Sequence, residues 1–532
     1  MVRFSDRKVG VGTMKHAGGI VAILPSGTIR VKALVTCLLL TAATSCGPEA
    51  STDRESRQAS ESEEPPSQSP VSAETTSEIV VFEGARLITG DGSEPIERSA
   101  FVVENGRFTQ VGRQGEVDAP AAASRVDLSG KTVIPGLIDL HTHIGYEMYT
   151  GVNGVPVRPE GGGTAGRGVF NFGAHNFTRE NILDHMKRFA YFGVAAAWSA
   201  GYTFGQHPYE LRDEIMAGEH PDAARYLPSG PGLTTLDAIR PGNARQSTWA
   251  IATEEDARYA VRWLARKNVE MLKLWNEDMS PPVYGAIIDE AHRHGIRVGV
   301  HPGAFTRPEE STKDMVRAGV DVLLHPIDPD EEFLELVRQR ERPLYGVFAS
   351  ASDRWAYHVP YFDDPPTLLR HTVAPSQLGQ LREKYGEQAR QGTEAQRRAA
   401  VRSQAWEDRM ESMRLLRGAG LRLALGSDAG GTAREKTVGF FAHVDMENMS
   451  TSEMTPADVI VAATRTAAEA LGLDDLGTIA PGKSAAFVVL DANPLDDILN
   501  TRRIHLVYLR GVEVDRDGLR AKWAESWRND PG

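Results

Sequence analysis

The chain has 532 residues, which is too long for one small core and suits one large domain together with a smaller one. Its formal net charge of −13, without a basic stripe of interleaved aromatic residues, argues against a nucleic-acid partner. Hydrophobic residues make up 41% and charged residues 25%, which is ordinary for a soluble globular protein.

The N-terminal segment has the pattern of a secretion signal. A basic front precedes an apolar run over residues 33–43, which is shorter than the ~20 residues that a membrane span needs. The run leads into Ala43-Thr44-Ser45-Cys46, which resembles a bacterial lipoprotein box, although such boxes usually have Leu in place of Ala43. We therefore expect residues 1–46 to be a signal peptide, with Cys46 as the lipidated first residue of the mature protein.

Residues 47–77 are dominated by Ser, Glu, Pro, Gln and Thr, so we expect a disordered tether behind the lipid anchor. The protein would then be an extracytoplasmic lipoprotein that touches the membrane through its lipid alone. A secreted soluble protein with an ordinary cleaved signal is the alternative, and Val31 is an alternative start. Because Cys37 and Cys46 are the only cysteines, the globular part has neither a disulfide framework nor a cysteine nucleophile.

Short β-type runs separated by turn residues occur at both ends of the remaining chain. We interpret residues 78–135 and 478–525 as two halves of one small β-sandwich domain, which come together because the segment between them folds as a closed unit. The runs are Ile79–Phe82, Phe101–Val103, Thr132–Ile134, Ala486–Leu490 and His505–Leu509.

The middle segment, residues 136–477, alternates strand and helix patterns. A capping box at Thr253 begins one helix, and Ser280-Pro281 begins another that ends at Gly295. Repeated βα units with apolar strands indicate a parallel sheet, and about 340 residues suit a (β/α)8 TIM barrel. Residues 353–394 are rich in aromatic residues, and we interpret them as an insertion in the barrel. The insertion could be a lid over the site or a surface elaboration, and both interpretations stay open.

Polar or charged residues follow the ends of the predicted barrel strands. Barrels of this kind gather their reactive groups at that end, so one such residue per strand is hard to explain as packing. The residues are His141 and His143, Lys273, His301, His325 and Asp428.

The chain contains two His-X-His triplets, and their predicted settings differ. Residues two apart on a strand point the same way, so His141 and His143 can chelate one metal ion. His292 and His294 lie on a predicted helix, where residues two apart point to different faces, so we do not expect them to chelate one ion.

Four stretches resemble motifs of the amidohydrolase superfamily: Ile134-Pro135-Gly136-Leu137-Ile138-Asp139-Leu140-His141-Thr142-His143, Leu272-Lys273-Leu274-Trp275, Ser427-Asp428-Ala429-Gly430-Gly431 and Gly477-Thr478-Ile479-Ala480-Pro481-Gly482-Lys483. The first is similar to the first-strand signature, the third to the last-strand signature, and the fourth to the return into the small β-domain. The second is similar to the imidazolonepropionase-like and prolidase-like branches. The likeness covers roughly residues 78–525.

The resemblance implies a set of metal ligands. His141, His143 and Asp428 would hold one divalent ion, and His301 and His325 would hold a second. Two ions need an anionic bridge, which the family supplies as a carboxylated lysine at the position of Lys273. Zinc is the first expectation, and manganese and nickel also suit such ligands.

The same resemblance implies hydrolysis of an amide-like C–N bond in a small molecule, such as a peptide, an acyl-amino acid or a cyclic amide. Asp428 would take a proton from the attacking water and return it to the leaving nitrogen. Relatives often carry a second histidine two places beyond His301, where this chain has Gly303, so a single-metal centre stays open.

Three alternatives remain: a single-metal deaminase-like reaction, an imidazolone-type ring hydrolase, and a catalytically silent surface-binding lipoprotein. Barrels of this type often self-associate, so a homo-oligomer is a further expectation. His207 and His443 are interpreted as structural rather than as ligands.

Overall fold

The computed structural model describes residues 79–147, 177–201, 203, 205–235, 249–275, 279–302, 308–349, 366–390, 392–431 and 437–529. The predicted signal peptide with Cys46, the predicted tether over residues 47–77, and Gly303 lie outside these ranges. In the described part of the chain, none of the helices combines the length and the apolar character needed to cross a membrane.

The described strands are β1 (Ile79–Glu83), β2 (Arg86–Leu87), β3 (Ser99–Glu104), β4 (Arg107–Arg113), β5 (Ser124–Asp127), β6 (Thr132–Pro135), β7 (Leu137–Glu147), β8 (Val194–Ser199), β9 (Arg225–Pro228), β10 (Leu233–Thr235), β11 (Trp249–Ile251), β12 (Met271–Trp275), β13 (Arg297–His301), β14 (Val322–Leu323), β15 (Tyr345–Val347), β16 (Arg422–Ala424), β17 (Ala429–Gly431), β18 (Phe487–Leu490), β19 (Ile504–Leu509) and β20 (Val512–Glu513).

The described α-helices are α1 (Arg179–Tyr191), α2 (His207–Ala217), α3 (Glu254–Ala265), α4 (Pro281–Arg293), α5 (Pro308–Ala318), α6 (Glu331–Arg338), α7 (Thr367–Arg370), α8 (Pro375–Arg390), α9 (Gly392–Gly418), α10 (Phe440–Ser450), α11 (Pro456–Val461), α12 (Ala467–Leu471) and α13 (Arg516–Ser526). A π-helical turn, Ala462–Thr466, joins α11 to α12, and short 3₁₀ helices span Ile498–Arg502 and Trp527–Asn529.

The two ends of the described chain form two small sheets, with strand orders β4-β3-β1-β5 and β2-β6-β18-β19-β20. β18 pairs antiparallel with β6, which joins the C-terminal segment to the N-terminal one. Phe82 stacks on Phe101, and Phe487 stacks on Tyr508, with ring centroids 5.1 and 4.7 Å apart. One aromatic core therefore holds residues from both ends of the sequence.

The middle segment forms two parallel sheets, β17-β7-β8-β9 and β11-β10-β12-β13-β14-β15-β16. No unbroken ladder among the described residues closes them into the eight-stranded barrel that the sequence predicts. Single hydrogen bonds join the two sheets at two places, from Leu140 N in β7 to Leu425 O after β16 at 2.9 Å and from Gly232 N before β10 to Gly201 O after β8 at 2.7 Å. Proline at 228 and 231 has no N–H to donate, which interrupts the ladder after β9.

Two predicted strands differ in extent from the observed ones. The apolar run over residues 320–324 predicts a strand that ends at His325. The observed strand is only Val322–Leu323, so His325 lies two residues beyond its end. β7 continues to Glu147, so His141 and His143 lie within the strand rather than at its end. The residues between β16 and β17 hold Asp428 with φ +55°, a conformation that cannot extend a strand.

The helices begin where their capping residues predict. Thr253 and Asp256 form a reciprocal capping box at the start of α3, and Ser280 precedes the proline that begins α4. In the predicted insertion, the aromatic residues at 355–362 lie outside the described ranges. His371, in the described part of the insertion, contacts α1, where the hydroxyl of Tyr191 lies 2.8 Å from its Nδ1.

Candidate metal centre

A row of aromatic rings is formed by side chains from β7, β12 and β13 and from the residue two places beyond β14. Ring centroids are 5.4 Å apart for His141 and His143, 4.8 Å for His141 and His325, and 4.0 Å for His325 and His301. Trp275 continues the row, 5.0 Å from His301. The structure therefore brings together four histidines that are spread over 185 positions of the sequence (141 to 325 inclusive).

His141 and His143 each contact a main-chain carbonyl through Nδ1. His141 Nδ1 lies 2.7 Å from Leu324 O, and His143 Nδ1 lies 3.2 Å from Ala200 O. A carbonyl only accepts, so Nδ1 carries the hydrogen in both rings, and Nε2 keeps its lone pair. An imidazole oriented in this way is typical of a metal ligand.

The Nε2 atoms of both histidines face the Asp428 carboxylate. Asp428 Oδ1 lies 3.0 Å from His143 Nε2 and 3.7 Å from His141 Nε2. Asp428 is only 8% exposed and has φ +55°, while its N–H donates to His141 O at 2.8 Å. A strained backbone that aims a buried carboxylate at two rings is a feature of functional sites.

Asp139 supports this arrangement, and the sequence analysis missed its role. Its Oδ1 accepts hydrogen bonds from Ser427 N at 3.0 Å and His141 N at 3.2 Å, and its Oδ2 accepts one from Ser427 Oγ at 2.5 Å. Burial raises the pKa of Asp139 to about 6, despite these hydrogen bonds. Its position two residues before His141 was a usable signal, since a strand directs both side chains to the same face.

Lys273 is fully buried on β12, with Nζ 4.4 Å from the ring centroid of Trp275. Burial, and next the positive charge of Lys273, lower the pKa of His141 well below its usual value. His141 is therefore neutral, as a metal ligand must be. Lys273 thus belongs to the same electrostatic environment as the histidines.

The residues of the centre suit a divalent cation. One ligand atom from each of His141, His325 and Asp428 lies within 4.8 Å of the other two. His141 Nε2 is buried and makes no hydrogen bond to any described residue. Two imidazoles and a carboxylate form a donor set that zinc and similar ions prefer.

The second His-X-His triplet lies apart from this centre. His292 Nε2 contacts Asp321 at 2.9 Å, whereas His294 Nε2 lies 3.5 Å from Glu290. The two rings thus face different carboxylates, as their helical position predicts. His443 is buried against Phe192 O and Thr501 Oγ1, at 2.9 and 3.1 Å, which fits a structural residue.

Comparison with known proteins points to one family. The Amidohydrolase family model matches residues 279–514. The imidazolonepropionase of Streptomyces coelicolor is 25% identical over 82% of this chain and 97% of its own length. The imidazolonepropionase of Klebsiella pneumoniae is 45% identical, but that match spans only 13% of this chain and 18% of the relative.

A solved structure, a putative prolidase from Bifidobacterium longum, superposes with a TM-score of 0.60 at 24% identity, covering 85% of this chain and 99% of that one. This likeness indicates a TIM-barrel-like α/β fold. The family-model match and the imidazolonepropionase match over most of both chains support placing the chain in the amidohydrolase superfamily.

Proposed function

We propose that the chain is a metal-dependent hydrolase that cleaves an amide-like C–N bond in a small molecule. The observation that carries the proposal is the convergence of His141, His325 and Asp428, whose ligand atoms lie within 4.8 Å of one another. Membership of a superfamily that is generally metal-dependent, with an imidazolonepropionase and a putative prolidase among its relatives, supports the same class of reaction.

The residues that would hold metal divide into two groups. His141, His143 and Asp428 would hold one ion, while His301 and His325 would hold a second, with carboxylated Lys273 between the groups. Zinc is our first choice of ion, and manganese or nickel suits the same ligands. When bound, such ions polarise a substrate carbonyl and make a water molecule more acidic.

Asp428 is the proposed proton carrier. Its carboxylate is nearly buried and lies at the His143 end of the row of rings, with Oδ1 3.0 Å from His143 Nε2. A carboxylate in this place can accept a proton from the attacking water and pass it to the leaving nitrogen. Hydrogen bonds between Asp139 and Ser427 fix the backbone next to Asp428, and this restricts the directions in which the Asp428 carboxylate can point.

The architecture that we propose for this activity is a closed (β/α)8 barrel with a small β-sandwich domain. The parallel pairing in both middle sheets and the hydrogen bonds that join the two sheets support the barrel. The two small sheets that share one aromatic core support the sandwich.

For the whole protein we propose attachment to the outer side of a membrane through a lipid on Cys46, in line with the lipoprotein-box pattern. Release of the protein from the membrane fraction by Cys46→Ala would support the anchor. An equal membrane-bound fraction in both proteins would contradict it.

The activity is tested by incubating metal-free and zinc-loaded protein with dipeptides, acyl-amino acids, cyclic amides and lactones. We expect turnover of at least one C–N substrate by the zinc-loaded protein. Asp428→Asn should lower kcat by about a hundredfold or more, because proton transfer typically contributes 10²–10⁴. Exposed Asp517→Asn on α13 is the matched control and should leave kcat unchanged.

Other outcomes would point to the alternatives. Release of ammonia from a heterocycle by protein with one ion per chain would replace the proposal with a deaminase-like reaction. A metal-loaded protein that binds these compounds but turns none of them over would instead indicate a silent binding lipoprotein.

A further inference from the structure

An indole lies at the end of β12, against two of the candidate ligands. Trp275 is 5% exposed, and its ring stacks on His301 with an interplanar angle of 30° and centroids 5.0 Å apart. The same ring centroid lies 4.4 Å from Nζ of Lys273. One side chain therefore contacts a candidate ligand on its own strand and another on the neighbouring strand.

The strand register explains both contacts. Lys273 and Trp275 are two residues apart on β12, so their side chains leave the same face of the sheet. Trp275 is also the register partner of His301 in the parallel β12–β13 ladder. The position of the indole thus follows from paired backbone rather than from a loop.

Two glycines leave space for the Trp275 indole and the Lys273 side chain. A Cβ at Gly232 would lie 2.6 Å from Nε1 of Trp275, and a Cβ at Gly201 would lie 2.8 Å from Cγ of Lys273. The glycines are joined by a 2.7 Å hydrogen bond from Gly232 N to Gly201 O. Any larger residue at either place would displace the indole or the lysine, so the backbone is fitted to both.

We propose that Trp275 is a positioning residue that fixes His301 and Lys273 in the geometry needed for metal ligation. The His301 ring contacts Trp275 on one side and His325 on another, at centroid distances of 5.0 and 4.0 Å. A stacked aromatic neighbour restricts rotation of the imidazole, and the indole also excludes water from the lysine amine. This inference rests on the proposed metal-dependent function.

The test compares Trp275→Leu, which removes the ring, with Trp275→Phe, which keeps an aromatic face. Cobalt and zinc are titrated into metal-free protein, and stoichiometry and affinity are measured by calorimetry. We expect Trp275→Leu to weaken metal binding at the His301 side by about tenfold to a hundredfold, as loss of groups that orient ligands usually does. Trp275→Phe should recover most of that loss.

The matched control is Trp263→Leu, because the Trp263 indole packs on Tyr209 and Trp249 away from the centre. It should bind metal as the wild type does. The visible absorption of the cobalt-loaded protein gives a second readout, since it reports ligand geometry. We expect the spectrum to change in Trp275→Leu and to return towards that of the wild type in Trp275→Phe.

A folded Trp275→Leu protein with wild-type metal affinity and cobalt spectrum would overturn the inference and leave the proposed function standing. If Trp275→Leu does not fold, cobalt quenching of tryptophan fluorescence decides the matter. Equal quenching in the wild type and Trp275→Phe would overturn the contact, and reduced quenching in Trp275→Phe would support it. A wild-type protein that binds no metal would contradict the proposed function itself.

Discussion

His141 and His143 each have one ring nitrogen engaged by a main-chain carbonyl, which leaves Nε2 in both rings directed at Asp428. The arrangement depends on Asp139, whose carboxylate receives hydrogen bonds from the backbone of His141 and from Ser427. The part of the site that holds His141, His143 and Asp428 is therefore organised by a buried carboxylate on β7 that also binds the segment between β16 and β17.

Replacing Asp139 by Asn should loosen the centre without removing a ligand. The amide has one acceptor oxygen instead of two, so a buried hydrogen-bond donor of Ser427 or His141 loses its partner, at about 1–3 kcal/mol. We expect urea denaturation to show a loss of that size, together with a tenfold to hundredfold weaker metal affinity, about what loss of a ligand-orienting partner produces.

Asp91→Asn is the control for this substitution. Asp91 also accepts from a hydroxyl and a backbone N–H, of Thr89 and Ser93, but on the surface of the small sheets. It should leave metal affinity unchanged. Wild-type stability and metal affinity in Asp139→Asn would show that Asp139 does not organise the site.

At the scale of elements, the contact between β7 and β17 sets the distance between the two histidines and Asp428. The strands pair in parallel, with Gly430 opposite His143. Gly430 has φ +80°, and a Cβ there would overlap the carbonyl oxygen of His143. Only glycine lets the two strands approach this closely.

Gly430→Ala should therefore destabilise the fold by about 2 kcal/mol or more, from backbone strain together with the steric overlap. Gly472→Ala is the control, because Gly472 has φ +70° but no atom within 4 Å of its missing Cβ. That variant should lose only the strain energy of about 1 kcal/mol. Chemical denaturation measures both, and equal losses would contradict a role for the close approach of β7 and β17.

Much of the secondary structure of the middle segment was predictable from the local sequence. Apolar runs over residues 269–275 and 296–301 predict two strands, and β12 and β13 lie there. Ser280-Pro281 predicts the start of α4, and α4 begins there. Local patterns could not show that Trp275 stacks on a histidine 26 positions later, because that contact depends on strand register. For the same reason, the pairing of Asp139 with Ser427, 288 positions apart, was not foreseen.

At the scale of the whole molecule, the two ends of the described chain meet in the sheet that pairs β6 with β18. His443 on α10 helps to hold the C-terminal segment, since its ring contacts Phe192 O and Thr501 Oγ1. Burial lowers the pKa of His443 to about 3, so the ring is neutral in the folded protein.

The pH dependence of stability follows from this lowered pKa. Between about pH 6.5 and pH 3 the unfolded chain binds a proton at His443 that the folded chain does not, so acid favours unfolding. Wild-type stability should therefore fall with decreasing pH from about 6.5, and this residue should contribute a slope of about 1 kcal/mol per pH unit.

His443→Gln isolates that contribution. The variant should be less stable than the wild type at pH 7, but its stability should fall less steeply between pH 6.5 and pH 4. Chemical denaturation at several pH values measures both slopes. Identical slopes would mean that His443 is not a buried neutral residue.

Whether the histidine row binds metal is tested most directly by elemental analysis of the purified protein. The wild type should hold at least one divalent ion per chain. His141→Ala should lose it, whereas His505→Ala, which alters an exposed histidine paired with Asp491, should retain it. Equal metal content in the wild type and His141→Ala, or no metal in the wild type after incubation with zinc, would contradict the account.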